Sequence, residues 1–306
     1  MQKFTRNLSI IVLIALVGCA ANTSRQIGDT ETLAGLKAMA YTKRSGVRAT
    51  AMTTSKIRET ALRETALSLG AQAALAWRAK YIDDNLVKQT RHLDTIYDFN
   101  AITLEHNVLP PVLLEGRHTL NLADAQTIRI SDRTYKVYKQ ARFITTTPNW
   151  RQYLWMDYQR PEYPHVSLLP ATRDEREIWC YYVEKGWQKG TEQANTIFED
   201  NIARIKEDFK GMILYRKLLA MNMVSPPYVS NTDLGVTGDG EEIHIDDRVL
   251  RITALPALNV NSDEWRAAVA HDETSLAELN LLEKRIYESK VALSNKGWQP
   301  VISPVN

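Results

Sequence analysis

The chain has 306 residues, 44% hydrophobic and 24% charged, the balance of an ordinary globular protein with one large domain or two small ones. Its 38 basic and 36 acidic residues exclude the strongly basic character that general nucleic-acid binding draws on. No apolar stretch beyond the first twenty residues is long enough to span a bilayer.

The opening segment has the proportions of an export signal. Lys3 and Arg6 form a basic start, and Leu8 to Val17 is an apolar run of ten residues, short of the roughly 20 a membrane-spanning helix needs. Gly18 then precedes Cys19. The pattern Leu16-Val17-Gly18-Cys19 resembles a bacterial lipobox, in which the thiol is acylated before cleavage. Residues 1–18 are therefore expected to be a signal peptide, with Cys19 as the lipidated first residue, a diacylglyceryl and palmitate type of anchor. More than one acyl chain on one cysteine is what stable anchoring requires. Ala20 follows, where the resemblance to Gram-negative lipoproteins implies outer-membrane delivery. Removing Lys3 and Arg6 leaves 36 charges of each sign. Cys180 is then a lone thiol, read as a small buried hydrophobe on a helix.

Residues 19–54 read as a polar tether with one short helical piece near Leu33 to Ala40. A single α+β domain is expected over 55–306. From Ser55 to Asn100, Leu62, Ala66, Leu69, Ala73 and Ala76 recur at helical spacing. Their small size makes a thin stripe, suited to close packing within the chain or to a subunit interface. Pro110-Pro111 ends the helical region. In "TIRISDRTYKVYKQARFI" the alternation of Ile128, Ile130, Tyr135 and Val137 predicts a β-hairpin turning at Ser131-Asp132-Arg133.

Pro161, Pro164 and Pro170 break the chain before a second long helix. Thr172 and Glu175 have capping-box spacing, and an apolar face runs from Ile178 through Ile205, Phe209 and Ile213 to about Met221. "GVTGDGEE" (Gly235–Glu242) lacks the lysine and helix start of a phosphate loop and reads as the tight turn of a second hairpin, continued by "EEIHIDDRVLRITA". A last helix is expected over Ser275–Leu293.

The two halves echo each other. "IRISDRTYKV" from Ile128 and "IHIDDRVLRI" from Ile243 are offset by 115 residues. The same offset pairs Asn107 with Asn222 and Trp150-Arg151 with Trp265-Arg266, while Lys185-Gly186-Trp187-Gln188 recurs at Lys296. Either a duplicated helix–hairpin unit (55–158 and 173–272) or coincidence with similar turn chemistry produces such an echo. Duplication predicts two hairpins that pair into one sheet with the helices packed on it.

Chemistry is sparse. The histidines (His92, His106, His118, His165, His244, His271) have no helical metal-pair spacing, and HExxH, CxxC, GxSxG and phosphate-loop motifs are missing. His244 with Asp246 and Asp247 is the one compact acid–base grouping, and turn or surface roles suit it better. No catalytic residue, metal site or cofactor is assigned. Tyr and Trp crowd "NWRQYLWMDYQRPEYP" from Asn149, a composition shared by half-buried core rims and interface hot spots.

The strings "IYDFN" (Ile96–Asn100), "HNVLPPVLLEGR" (His106–Arg117), "NLADAQTIRISDRTYKV" (Asn121–Val137), "WRQYLWMDY" (Trp150–Tyr158), "LLAMNMVSPPYV" (Leu218–Val229) and "HIDDRVLRITALP" (His244–Pro256) resemble the DotC family of Dot/Icm (type IVB) secretion systems, with relatives in conjugation. The resemblance implies a non-enzymatic outer-membrane lipoprotein facing the periplasm. It implies work with a DotD-like lipoprotein to bring a DotH-like core protein to the outer membrane for effector export, without nucleic-acid binding. The one position it carries over is the acylated cysteine, Cys19. The contrasting expectation is a lipid-anchored periplasmic enzyme, such as a cell-wall hydrolase.

Overall fold

The computed structural model describes residues 29–42, 56–265 and 273–295. The signal segment, Cys19, Arg266, His271 and the Lys296 motif lie outside the described residues. The architecture is α+β, with long helices and antiparallel hairpins as the periodicities predict.

The short helix α1 (Leu33–Ala38) is capped by the Thr32 hydroxyl, which accepts from the Gly35 N–H. It continues as a single turn through Tyr41. This piece does not behave as tether. Leu36, Met39 and Ala40 are wholly buried, and the Trp179 indole N–H donates to the Leu36 carbonyl at 3.0 Å. Residues 29–42 are therefore part of the folded domain, because one helical turn supplies three apolar side chains to an open groove.

Two long helices carry the molecule: α2 (Lys56–Lys88), followed by the short α3 (Thr90–Ile96), and α5 (Arg173–Ala220). At 1.5 Å per residue, α5 is about 70 Å long. The Thr172–Glu175 capping box is present in both directions, and Met221 ends the helix. The two helices run parallel: Arg58 meets Glu175 at one end, and Arg78 donates to Asn195 further along at 2.8 Å.

The thin stripe is occupied within the chain. A Cβ at Gly70 would strike the Val183 carbonyl, and one at Gly186 would strike the Leu67 carbonyl. The contacts exchange on swapping the helices, since Leu67 stands to Gly70 as Val183 stands to Gly186. That is the geometry of a two-fold contact, formed here inside one chain.

A two-residue bridge, β1 (Val108–Leu109) with β4 (Arg142–Phe143), closes the base of the first hairpin. The hairpin joins β2 (Val112–Asp124) to β3 (Thr127–Lys139), with Arg117 opposite Arg133 and Leu120 opposite Ile130. The predicted turn at Ser131–Arg133 is corrected: those residues are mid-strand. The chain reverses at Ala125-Gln126, where the Asp124 carboxylate accepts the Gln126 N–H at 2.8 Å. The short helix α4 (Trp150–Leu154) follows.

The second hairpin joins β5 (Tyr228–Gly238) to β6 (Ile243–Ala254). Its turn lies where the glycines predicted. Asp239 accepts from the Glu241 and Glu242 N–H groups, and Gly238 adopts φ +145, against the Glu242 carbonyl. The hairpins form two separate two-stranded sheets, which corrects the expectation of one shared sheet. Each ribbon extends beyond its base instead of covering the helices, so only Val112 and Leu113 of either ribbon are buried.

The two stretches nevertheless follow one path. Asn107 and Asn222 both take left-handed backbone, φ 55 and 57, a conformation asparagine tolerates. Proline pairs then enter the hairpins, and each returning strand is tied at the base. The Ile144 N–H donates to the Asn107 carbonyl, and the Asn259 N–H donates to the Met223 carbonyl, both at 2.9 Å.

Three core clusters lie along α5. Trp179 and Val183 hold α1 and the start of α2. Ala194, Phe198, Ile205, Phe209 and Met212 hold α3, α4 and α6 (Glu273–Asn295). Tyr215 and Leu218 hold the hairpin bases.

Candidate functional site

Among the described residues, Glu175 and Asp208 are the buried charges. Asp208 lies on the apolar face of α5, between Ile205 and Phe209 on one side and Met212 on the other. Lys139, at the end of β3, places its ammonium 2.6 and 2.7 Å from the two carboxylate oxygens. The Tyr153 hydroxyl, from α4, donates to one of them at 3.0 Å. Burial, reinforced by the Asp208 carboxylate, pushes the Tyr153 phenol well above its ordinary pKa, so it stays a donor. A cleft of about 640 Å³ opens beside this cluster, with Gln140, Arg142, Gln152 and Arg204 on its rim.

This arrangement clamps. Both oxygens of Asp208 are engaged, and the three residues of the cluster come from three elements that meet at the base of the first hairpin. A charged residue on an otherwise apolar helical stripe is the signal that could have marked it in the sequence. Its partners, 55 and 69 residues away, carry no such mark.

The sequence-predicted groups lie elsewhere. His92, His106, His118, His165 and His244 are all exposed and sit on separate elements, and His271 lies outside the described residues. His244 points from the far half of the second hairpin, 3.8 Å from Glu242. Asp247 accepts from the Thr237 hydroxyl at 2.6 Å, while Asp246 sits at φ 58 in the β-bulge, exposed. The three are not gathered in a cleft. Among the described residues, no group of three potential metal ligands comes together. Cys19 lies outside the described residues. Cys180 is free and half-buried on α5, where burial raises the thiol pKa.

The aromatic segment divides in two. Trp150 is core: its indole N–H donates to Asp94 at 2.6 Å, and Arg151 lies over its ring at 4.4 Å. Tyr153 stacks on Phe99, 5.8 Å between centroids and 6° apart in plane. Trp155, Tyr158 and Tyr163 instead stay 40–46% exposed. Asp83 holds the turn between the two parts by accepting from the Met156 and Asp157 N–H groups.

Both hairpins expose aliphatic side chains. Leu120, Leu122, Ile128 and Ile130 are 60–70% exposed on one ribbon, and Val236, Ile243 and Ile245 are 66–75% exposed on the other. Among the described residues, no helix is long and apolar enough to cross a membrane.

Comparison with known families gives a match over residues 56–267, more than half of the chain, to the family described as type IV secretory system, conjugal DNA-protein transfer. The match begins at the first residue of α2 and ends just past the second hairpin, so it takes in both helix–hairpin stretches. No curated protein matches the chain.

Proposed function

The chain belongs to the type IV secretory system family of conjugal DNA-protein transfer, and from that premise we propose that it is a structural, non-enzymatic subunit of a type IVB (Dot/Icm-like) outer-membrane core complex. In this reading Cys19 carries the lipid, and the domain faces the periplasm. A DotD-like lipoprotein and a DotH-like core protein are the partners it helps bring to the outer membrane. The family match across both helix–hairpin stretches carries the reading. The lipobox-like Leu16–Cys19 and the DotC-like strings support its finer part.

The same reading takes 55–158 and 173–272 as repeats of one unit, within a domain that follows a signal at 1–18 and a lipidated segment. The exchange-symmetric packing of Leu67 and Gly70 on Val183 and Gly186 supports the duplication, as do the hydrogen bonds at the hairpin bases, whose donors Ile144 and Asn259 correspond and whose acceptors Asn107 and Met223 differ by one position.

The test is Cys19→Ser in cells that carry the whole system. Palmitate labelling of the protein is expected to vanish. The protein and the DotH-like partner are expected to leave the outer-membrane fraction, and effector export is expected to stop. Full export by the Cys19→Ser variant overturns the anchor-dependent role.

A further inference from the structure

The cleft beside Asp208 carries a charge of its own. Asp208 is the one carboxylate on its lining, and Lys139 neutralises it. Arg142 from β4 and Arg204 from α5 then remain as two unopposed positive charges on the same lining. Among the described residues neither lies in an ion pair, and Arg204 donates to the neutral Asn201 side chain at 3.2 Å. The two guanidinium groups gather around one point. Against the rise that burial and Asp208 impose on the Tyr153 phenol, both of them pull its pKa downward. Arg204 also lies over the Tyr153 ring, 5.7 Å from its centroid.

The rest of the lining narrows what anion fits. Gln140 and Gln152 face the cleft, and their exposed carboxamides each offer a donor and an acceptor, the complement of a peptide main chain. Leu109, Val112 and Met212 form a nearly buried, apolar floor. A single-stranded nucleic acid needs aromatic faces on which to stack its bases. Tyr153 is the one aromatic ring on the lining, and it is covered by Phe99, stacked at 5.8 Å, and by Arg204. A free phosphate would leave the apolar floor bare. A flat bilayer does not enter a concavity between α4, α5 and the base of the first hairpin. An acidic side chain beside an aliphatic one, on an extended chain, matches the charges, the carboxamides and the floor together.

We propose that this cleft binds an acidic peptide segment of a partner protein, with an Asp or Glu carboxylate held between Arg142 and Arg204. Guanidinium groups suit this task, since each presents a planar fork of donors to a carboxylate. The neighbouring aliphatic side chain covers the Leu109–Val112–Met212 floor, and Gln140 and Gln152 hold the main chain. The contacts come from β4, α4, α5 and the link between β3 and β4, so a bound segment also ties the first hairpin to the long helix. The inference rests neither on the lipid anchor nor on the identity of the partners named above.

The experiment uses the full chain, purified in detergent and immobilised, with random heptapeptides displayed on phage as the probe. Selected sequences are expected to place Asp or Glu next to an aliphatic residue. The best of them is then synthesised with a fluorescent label. Changing its acid to the amide is expected to weaken binding to the parent chain about tenfold. Arg142→Gln with Arg204→Gln is expected to weaken the acidic peptide by the same factor, and on that double variant the amide change is expected to cost less than about twofold. Circular dichroism and the unfolding midpoint check the double variant, whose two positions are exposed. Inorganic phosphate is expected to displace the peptide no better than sodium chloride of equal ionic strength, and a single-stranded oligonucleotide is expected not to displace it. A chain carrying Cys19→Ser is expected to select the same peptides, which separates this result from that of the anchor. Selection without an acidic residue, equal binding by the double variant, independent losses from the peptide and protein changes, or specific displacement by phosphate or the oligonucleotide would each overturn the proposal.

Discussion

Arg58 Nε lies 2.6 Å from one oxygen of Glu175, and Nη2 lies 3.1 Å from the other. This two-point clamp joins the first turns of the two long parallel helices. Arg58 also donates to the Ser167 and Leu169 carbonyls, which fixes the loop entering α5. Glu175 closes the capping box as well, so one side chain serves a helix end, a loop and a helix pair.

Removing the guanidinium leaves a nearly buried carboxylate. Arg58→Met is expected to lose about 2 kcal/mol of stability, within the range for breaking a partly exposed pair of this kind. Adding Glu175→Gln is expected to recover part of that loss, because no charge is then stranded. Urea unfolding of the two single variants and the double variant measures the coupling. Purely additive losses would show that the pair does not act as a clamp.

The same pair sets an acid dependence. Burial alone would raise the Glu175 carboxyl, but the Arg58 hydrogen bond and the Ala171 N–H outweigh it, and the pKa falls below the ordinary carboxylate value. A depressed folded pKa means the stabilisation is complete above the unfolded pKa, about 4.3. It is lost as pH falls through the folded value. The drop in unfolding midpoint from about pH 5 to about pH 2 is expected to be smaller for Glu175→Gln than for the parent chain. Equal drops would remove Glu175 from the acid response.

Gly186→Ala tests the close approach of α2 and α5. Alanine is worth up to about 1 kcal/mol more than glycine inside a helix. Here its methyl would meet the Leu67 carbonyl, which is backbone and cannot swing aside. Overpacking of this kind costs about 1–3 kcal/mol. The melting temperature is expected to fall by several degrees, whereas a rise would mean that helix propensity decides.

Lys139→Met leaves Asp208 buried with only Tyr153 as a side-chain donor. The base of the first hairpin is expected to loosen by about 2 kcal/mol. Amide exchange at Leu113 and Val137 reads this directly, with Phe198 and Ile205 on α5 as unaffected references. Uniform acceleration along α5 would point to global destabilisation instead.

Much of this fold is legible in the sequence. The helices declare themselves through three-and-four spacing, the Thr172–Glu175 box and the proline pairs, all of which act locally. The first turn was misplaced because Ser131-Asp132-Arg133 has turn composition, while the real reversal at Ala125-Gln126 depends on one Asp124 carboxylate and on pairing with Leu113–Leu122. The docking of Leu36 and Met39 depends on Trp179, more than a hundred residues away, and no local pattern reports it. The Lys139–Asp208–Tyr153 cluster shares that difficulty, with only the charge on an apolar stripe to announce it.

The docked α1 segment predicts how Cys180 reacts. Cys180 packs beside the cluster that holds Leu36, and burial raises its thiol pKa, so labelling by a maleimide is expected to be slow. In a Cys19→Ser background it is the chain's only thiol. Leu36→Asp is expected to undock α1 and speed labelling about tenfold through local opening. An unchanged rate would mean that α1 does not shield this site.

The single unbroken helix α5 works as a measuring rod. One end carries the packing site for α1, and the other end carries the bases of both ribbons. The distance between those ends is set by a residue count, because a helix has a fixed rise and no proline interrupts this one. Inserting seven residues in its middle would lengthen the rod by about 10 Å while turning it almost back to the same face. Reach, and not local chemistry, is thus written into the 48 residues from Arg173 to Ala220.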